Sequence, residues 1–352
     1  MLFINAISSF IVFTKKIERL VSKLLKFLVL GPFIFPIAYI LFGKNPLKLH
    51  NKKNKSIKCI YDGKPSSAHH LFREVAPDKI GLYDQRRVVS LLYKKNLLGK
   101  YLRFFGKYFY KVEWRKCNHC ENVFQNFPHT TQSLFNFYNT YYDDSFNLRK
   151  NKISSRNAYS KTIAPQYFLE KIDNKKGLRI LDIGAAQGIV MKFFAEAGYE
   201  SWGIEPSKER VEYGRKFLNL NNLFHGFYDP TSFEKDSFDL IFSHHVLEHF
   251  LEPNLFFEGV KIHLKKNGYL LLQLPSYEED RTATTFNDHL IGFSEDSLCK
   301  ILVSYGFRII DSVTVPKDRA KIKSNDIKMV GNECWTKYGV LPGAISILAI
   351  KV

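Results

Sequence analysis

From about residue 160 to the C-terminus, the chain alternates between short apolar runs and longer stretches that carry an apolar stripe on one face. The runs near 178–183, 200–205, 222–227, 238–243, 268–274, 307–315 and 344–351 have the length of buried strands. The stretches 188–197, 207–219, 253–265 and 294–305 have helical spacing. Strand and helix in regular succession predict a mostly parallel sheet covered on both faces, an α/β domain over 151–352.

One junction in this pattern carries chemistry. Leu178-Arg-Ile-Leu-Asp-Ile-Gly-Ala-Ala-Gln-Gly188 reads as a buried strand, an Asp near its end, and a small-residue turn into a helix. Gly184 and Gly188 carry no Cβ, which lets backbone approach a ligand closely. Glu205 closes the next strand, Glu200-Ser-Trp-Gly-Ile-Glu205. An acidic residue roughly 20 positions past such a turn can accept both ribose hydroxyls. A nicotinamide dinucleotide site wants G-x-G-x-x-G, and Ala186 and Ile189 stand at its second and third glycine positions. The turn therefore points to a nucleoside without a pyrophosphate.

The N-terminal pattern differs. Apolar stretches at 2–13 and 27–43 flank Lys15 to Lys26, where Ile17, Leu20, Val21, Leu24 and Leu25 share one helical face and Lys15, Lys16, Arg19, Lys23 and Lys26 occupy much of the rest. A basic amphipathic helix suits the interface of an anionic leaflet. Residues 27–43 carry no charge but only reach the lower length limit for a spanning helix, and Pro32 and Pro36 interrupt them. Lysines on both flanks oppose a simple crossing. The expectation is an in-plane or re-entrant element over 1–48 that holds a cytoplasmic protein at a membrane surface. The plain alternative is an apolar helix packed on the domain, and no clear cleavage site favours a signal peptide.

Charge sharpens this picture. Residues 1–116 hold 24 Lys and Arg against six Asp and Glu, while the remainder holds 28 of each, so the whole +18 excess sits in the first third. Such asymmetry points to a polyanion or an anionic membrane surface. Residues 86–116, rich in Arg, Lys, Tyr and Phe, also have the makings of a nucleic-acid surface. Five cysteines are too few and too irregular for a disulfide framework, which favours a reducing compartment.

Four segments in order carry a resemblance: Leu181-Asp-Ile-Gly-Ala-Ala-Gln-Gly188, Gly203-Ile-Glu-Pro-Ser207, Phe238-Asp-Leu-Ile-Phe-Ser-His-His-Val-Leu-Glu-His249 and Leu264-Lys-Lys-Asn-Gly-Tyr-Leu-Leu-Leu-Gln-Leu-Pro275. Asp288-His-Leu-Ile-Gly-Phe-Ser294 and Tyr305-Gly-Phe307 continue it. Together they resemble class I S-adenosylmethionine-dependent methyltransferases over roughly 155–315. The resemblance implies a seven-stranded Rossmann-like sheet and S-adenosylmethionine as cofactor. It implies that Gly184, Ala186 and Gly188 form the turn beneath the methionine part and that Asp182 orients that loop. Glu205 would take the ribose hydroxyls, Phe227 would lie near the adenine, and His244 would join the cofactor side. Ala186 replaces the commoner middle glycine.

Methyl transfer is an in-line displacement, so a base is needed only when the acceptor must lose a proton. His249 and His289 are the candidates, both on segments expected at the carboxyl edge of the sheet, where ligands bind; the alternative for each is a structural histidine. His245-Val-Leu-Glu-His249 also matches H-x-x-E-H, the zinc pattern of inverted metalloproteases. The preceding strand and nearby Pro253 leave little room for the helix that site needs. The same turn reads E-x-x-E-H in ubiquinone-pathway O-methyltransferases, where it is implicated in divalent-metal binding; here the first position is His245, and Glu248 and His249 are kept.

Cys117-Asn-His-Cys120, with Phe127-Pro128, Leu134, Tyr138 and Tyr141 after it, carries a second resemblance, to the zinc-binding N-terminal region of sugar C-methyltransferase-like proteins. An upstream C-x-x-C-G is expected there, and this chain has Cys59-Ile-Tyr-Asp-Gly63. Cys59, Asp62, Cys117 and Cys120 could hold a structural zinc, with His69 or His70 as an alternative fourth ligand. Otherwise the site has decayed to a metal-free fold over 49–150. No thioredoxin-like βαβ pattern surrounds the pair, and Cys299 and Cys334 read as ordinary small buried residues. The expected reaction is methyl transfer to a small molecule or a glycan or lipid-linked precursor. RNA is the alternative acceptor, and a cofactor-binding scaffold without catalysis is the non-enzymatic alternative.

Overall fold

In a computed structural model, the structure describes Ile60, Tyr138 and residues 68–75, 111–125, 163–164, 166–172, 177–279, 289–323, 326–330 and 333–352. Residues 1–48, Cys59 and Asp62 lie outside the described set. Among the described residues, no helix is long and apolar enough to cross a membrane.

In chain order the elements are β1 (Ala68–Val75), β2 (Lys111–Cys117), β3 (Val123–Gln125), β4 (Arg179–Ile183), α1 (Ile189–Glu196), β5 (Glu200–Glu205), α2 (Lys208–Leu218), β6 (Leu223–His225) and β7 (Phe238–His244). They continue with α3 (Pro253–His263), β8 (Leu264–Pro275), β9 (Ile291–Gly292), α4 (Glu295–Ser304), β10 (Phe307–Thr314), β11 (Ile327–Val330), β12 (Glu333–Thr336) and β13 (Ala344–Lys351). Seven of the strands form one sheet in the order β10-β13-β8-β7-β4-β5-β6. The β6, β5, β4, β7 and β8 run is parallel, and β13 is antiparallel to both β8 and β10. All seven predicted strands are present in this sheet, and each predicted helix is present to within two residues at either end.

β4 lies inside the sheet, paired with β5 on one side and β7 on the other, and burial explains its run of apolar residues. Ile180, Leu181 and Ile183 are at most 1% exposed, and each such side chain contributes about 1.5–3 kcal/mol on burial. β4 ends at Ile183, β5 at Glu205 and β7 at His244, side by side on one edge. That edge, where the strands' carboxyl ends meet the following turns, positions the site. α2 begins cleanly because Ser207 caps it, accepting from the Arg210 amide at 3.3 Å. α3 passes into β8 without a loop.

A four-stranded sheet, β1-β2-β3-β9, carries the Cys117–Cys120 turn and ends on a strand from the second half of the chain. Ile60, Cys117, Cys120 and Phe124 share one apolar cluster with Leu290, Ile291, Phe293 and Leu298.

Candidate functional site

The turn after β4 is built from left-handed backbone. Gly184, Ala186 and Gly188 have φ of 73°, 51° and 82°. A Cβ on Gly184 would stand 2.3 Å from Val246 Cγ2, and one on Gly188 would stand 2.2 Å from Leu220 Cδ1. These glycines therefore answer to the protein's own packing and handedness, not only to ligand approach. Ala186 adopts the same handedness at the cost a Cβ incurs there, about 1–2 kcal/mol.

Glu205 ties this turn to the next. It is 3% exposed; Oε2 accepts from the Ala186 amide at 2.9 Å and Oε1 from the Ser207 amide at 3.0 Å. A carboxylate has about four lone-pair sites, so two backbone bonds leave capacity for ribose hydroxyls. Asp182, 4% exposed, lies in β4 behind the turn. Both acids line a cavity of about 410 Å³, together with Gly184, Ala186, His244, His249 and His289. That volume falls within the range of small-molecule and cofactor sites.

His244 ends β7. Its Nδ1 lies 2.9 Å from Gln273 Oε1, and Gln273 Nε2 donates to the Tyr338 carbonyl at 2.8 Å and to Ser346 Oγ at 2.9 Å. With the amide so oriented, the His244 proton sits on Nδ1. Phe227 is not among the residues lining the cavity; it is 39% exposed and meets the lining through Tyr138, edge-on at 5.7 Å between ring centroids.

The cavity is also lined by imidazoles that surround one carboxylate. Leu247–His249 is a single 3-10 turn, too short to be the protease helix, so the H-x-x-E-H reading fails on geometry. His245 Nδ1, His249 Nε2 and His289 Nε2 lie 3.4, 3.9 and 4.0 Å from Glu248 Oε1. Glu248 is 1% exposed, and no described group makes a well-formed hydrogen bond to either of its oxygens. Burial alone pushes its carboxyl up, but His245 at hydrogen-bonding range and the charges of His249, His245 and His289 outweigh that and hold it at about 2. The two candidate bases, His249 and His289, meet edge-on at 4.9 Å between centroids. Glu248, His249 and His289 each offer a ligand atom within 4.8 Å of the others. Two imidazoles and a carboxylate form a donor set suited to Zn²⁺, Mn²⁺ or Fe²⁺.

The sequence brought Asp182, Gly184, Ala186, Gly188, Glu205, His244, His249 and His289 to this cavity, and all eight border it or its turn. It did not single out Glu248 as the hub of the histidine wall, nor Arg210, Tyr138 and Gly339 as lining. The local signals for Glu248 were the E-x-x-E-H likeness, in which it stands beside His249, and its place as an acid among Val246, Leu247 and Phe250.

The cysteine turn is separate from the cavity. Cys117 is fully buried and Cys120 is 7% exposed. Cys117 Sγ accepts from the His119 and Cys120 amides, both at 3.4 Å. Ala68 stands opposite Cys117 in the β1–β2 ladder, next to His69. Cys299 is half-buried, not enclosed as expected, and burial pushes its thiol up.

A family model described as a methyltransferase domain matches residues 156–312, the stretch that builds the Gly184–Gly188 turn and most of the sheet. Residues 156–312 belong to the class I S-adenosylmethionine-dependent methyltransferases. The methyltransferase domain is 28% identical over 113 residues to the ubiquinone biosynthesis O-methyltransferase of Actinobacillus pleuropneumoniae serotype 5b, a match covering 30% of this chain and 48% of that protein. It is 30% identical over 119 residues to the tRNA U34 carboxymethyltransferase of Idiomarina loihiensis, covering 32% and 37%. The chain thus spans less than half the length of either relative. Among solved structures, magnesium protoporphyrin IX methyltransferase from Synechocystis with bound SAH is similar at 15% identity and a TM-score of 0.44, over 63% of this chain and 100% of that one. That likeness is too distant to assign residue roles.

Proposed function

We propose that this chain transfers the methyl group of S-adenosylmethionine to a hydroxyl of a small molecule or glycan precursor. The observation that carries the reading is the wall of His249 and His289 around buried Glu248, lining the same cavity as the Glu205 turn. A hydroxyl must lose its proton as the methyl arrives, and an imidazole aimed into the cavity can take it. Glu248 favours the imidazolium that results. The O-methyltransferase relative supports an oxygen acceptor; the tRNA-modifying relative and the basic first third keep RNA as the competing acceptor.

A second reading is favoured by the unsatisfied Glu248 oxygens. Glu248, His249 and His289 would hold a divalent ion, which supplies a Lewis acid for an acceptor oxygen. Two further inferences concern the first third. The amide-to-sulfur bonds at Cys117, and Ile60 in one cluster with both thiols, support a structural zinc held with Cys59 and Asp62. The basic amphipathic N-terminus supports attachment to an anionic membrane surface, which fractionation with and without residues 1–45 tests.

The decisive assay follows S-adenosylhomocysteine release with hydroxylated small molecules, lipid-linked glycans and total RNA as acceptors. Small-molecule or glycan turnover that falls about 10²-fold or more in the His249→Ala/His289→Ala variant is expected. Turnover with RNA alone, or turnover indifferent to both histidines, contradicts the proposal.

A further inference from the structure

His289 is held in part by the backbone that follows it. The segment before it lies outside the described residues, and the residue after it, Leu290, is bonded on both sides. The Leu290 amide, in the peptide plane that joins it to His289, donates to the Glu248 carbonyl at 2.7 Å. The Leu290 carbonyl, in the next plane, accepts from the Gln125 amide at 2.9 Å. Gln125 ends β3, the strand that follows the cysteine turn, and the ladder continues with Phe124 opposite Ile291 and Val123 opposite Gly292.

We propose that the cysteine-bearing sheet is a positioning element of the acceptor wall: β3, acting through β9, holds His289 against Glu248. The proposal rests on the reading of the histidine wall as the acceptor side.

Three kinds of contact fasten the strip. The ladder fixes its backbone. Packing leaves no slack, because a Cβ on Gly292 would stand 2.6 Å from Val123 Cγ2 and 2.9 Å from Tyr277 Cβ. Asn122, fully buried, accepts from Ser297 Oγ at 2.5 Å, and Ser297 forms the capping box of α4 with Ser294, two residues beyond β9. Asn122 also accepts the Cys117 amide through its carbonyl at 2.9 Å, so the cysteine turn and the α4 cap share one residue. None of Asn122, Val123 and Gly292 lines the cavity. A sheet that served only to fasten a separate lobe could be loosened at β9 without disturbing His289.

The test needs no acceptor. Full-length wild type, Gly292→Ala, Asn122→Ala and Gly292→Ala/Val123→Ala are treated with diethylpyrocarbonate, and carbethoxylation of His289 is read by mass spectrometry against exposed His225. Each protein is also titrated with S-adenosylhomocysteine. His289 should react about fivefold faster or more in Gly292→Ala and Asn122→Ala, the ratio that a local opening worth about 1 kcal/mol gives. Removing the Val123 methyls should bring the rate back toward wild type, while S-adenosylhomocysteine affinity stays within about twofold throughout, as for an independent site. Unchanged His289 reactivity in both single variants overturns the proposal, as does a parallel loss of cofactor affinity, which would mean general damage. Should Gly292→Ala fail to fold, Asn122→Ala decides alone. Absence of S-adenosylhomocysteine binding in wild type overturns the cofactor reading instead, and leaves the His289 rates to judge the positioning role.

Discussion

Glu205, which lines the cavity, and Glu248, next to three histidines that line it, are both almost fully buried, and their charges are met in different ways. Glu205 accepts two backbone amides, from Ala186 and Ser207, and so fastens the turns after β4 and β5 to each other. Its partners cannot change protonation state. Glu248 sits behind three imidazoles at 3.4–4.0 Å with no well-formed hydrogen bond among the described residues. Its partners are the groups that most readily gain or lose a proton near neutral pH. Under the proposed function, the contrast separates a rigid receiver for a nucleoside from a wall that exchanges protons or takes a cation.

The contrast is sharpest under deletion. Glu205→Ala strands two buried amides, and hydrogen bonds to a charged acceptor contribute about 1.5–3 kcal/mol each. A loss of about 3–5 kcal/mol in urea unfolding near neutral pH is expected. A loss under about 1 kcal/mol would show that the turns do not depend on this carboxylate.

Glu248 should be exposed by acid. Its folded value is lowered from 4.5 to about 2, so its contribution is fully present above 4.5 and is lost as pH falls through that range toward 2. Wild type should exceed Glu248→Gln by about 3 kcal/mol at pH 6, since each unit of lowering is about 1.4 kcal/mol. The two stabilities should converge near pH 2. A difference that does not depend on pH would mean the histidines do not set the charge of Glu248.

The smallest effect concerns the turn that Glu205 holds. Ala186 has a φ of 51°, and Ala186→Gly removes the strain of a left-handed Cβ while adding chain entropy to the unfolded state. A net gain of about 0.5 kcal/mol is expected in the same unfolding assay. A loss would mean that the Ala186 methyl packs usefully.

Much of the cofactor side was legible because its chemistry is local in sequence. Asp182, Gly184, Ala186 and Gly188 fall within one strand and turn, and Glu205 closes the next strand. Burial on both faces made the strands of the main sheet nearly continuous apolar runs. The predicted helix over 253–265 ran two residues too far because Leu264 fits a helical stripe as well as the strand it opens. The acceptor side was harder to read because it is assembled over distance. His249 and His289 stand far apart in the chain and meet only in the fold, and the two-residue strand β9 beyond His289 leaves no periodic trace. Glu248 could be noticed as an acid in an apolar setting, but not as the centre of three histidines. Phe227 was expected near the adenine by analogy of position, and the structure seats it against Tyr138 on the outside of the lining.

Under the proposed function, one cavity holds S-adenosylmethionine on the Glu205 side and leaves the Glu248 side for the acceptor. Calorimetric titration of S-adenosylhomocysteine into wild type, Glu205→Gln and Glu248→Gln tests it most directly. Binding to wild type is expected, with a loss of about 10- to 100-fold in Glu205→Gln from the weakened bonds to the ribose and an affinity within about twofold of wild type in Glu248→Gln. Equal losses in both variants, or a loss confined to Glu248→Gln, would contradict it.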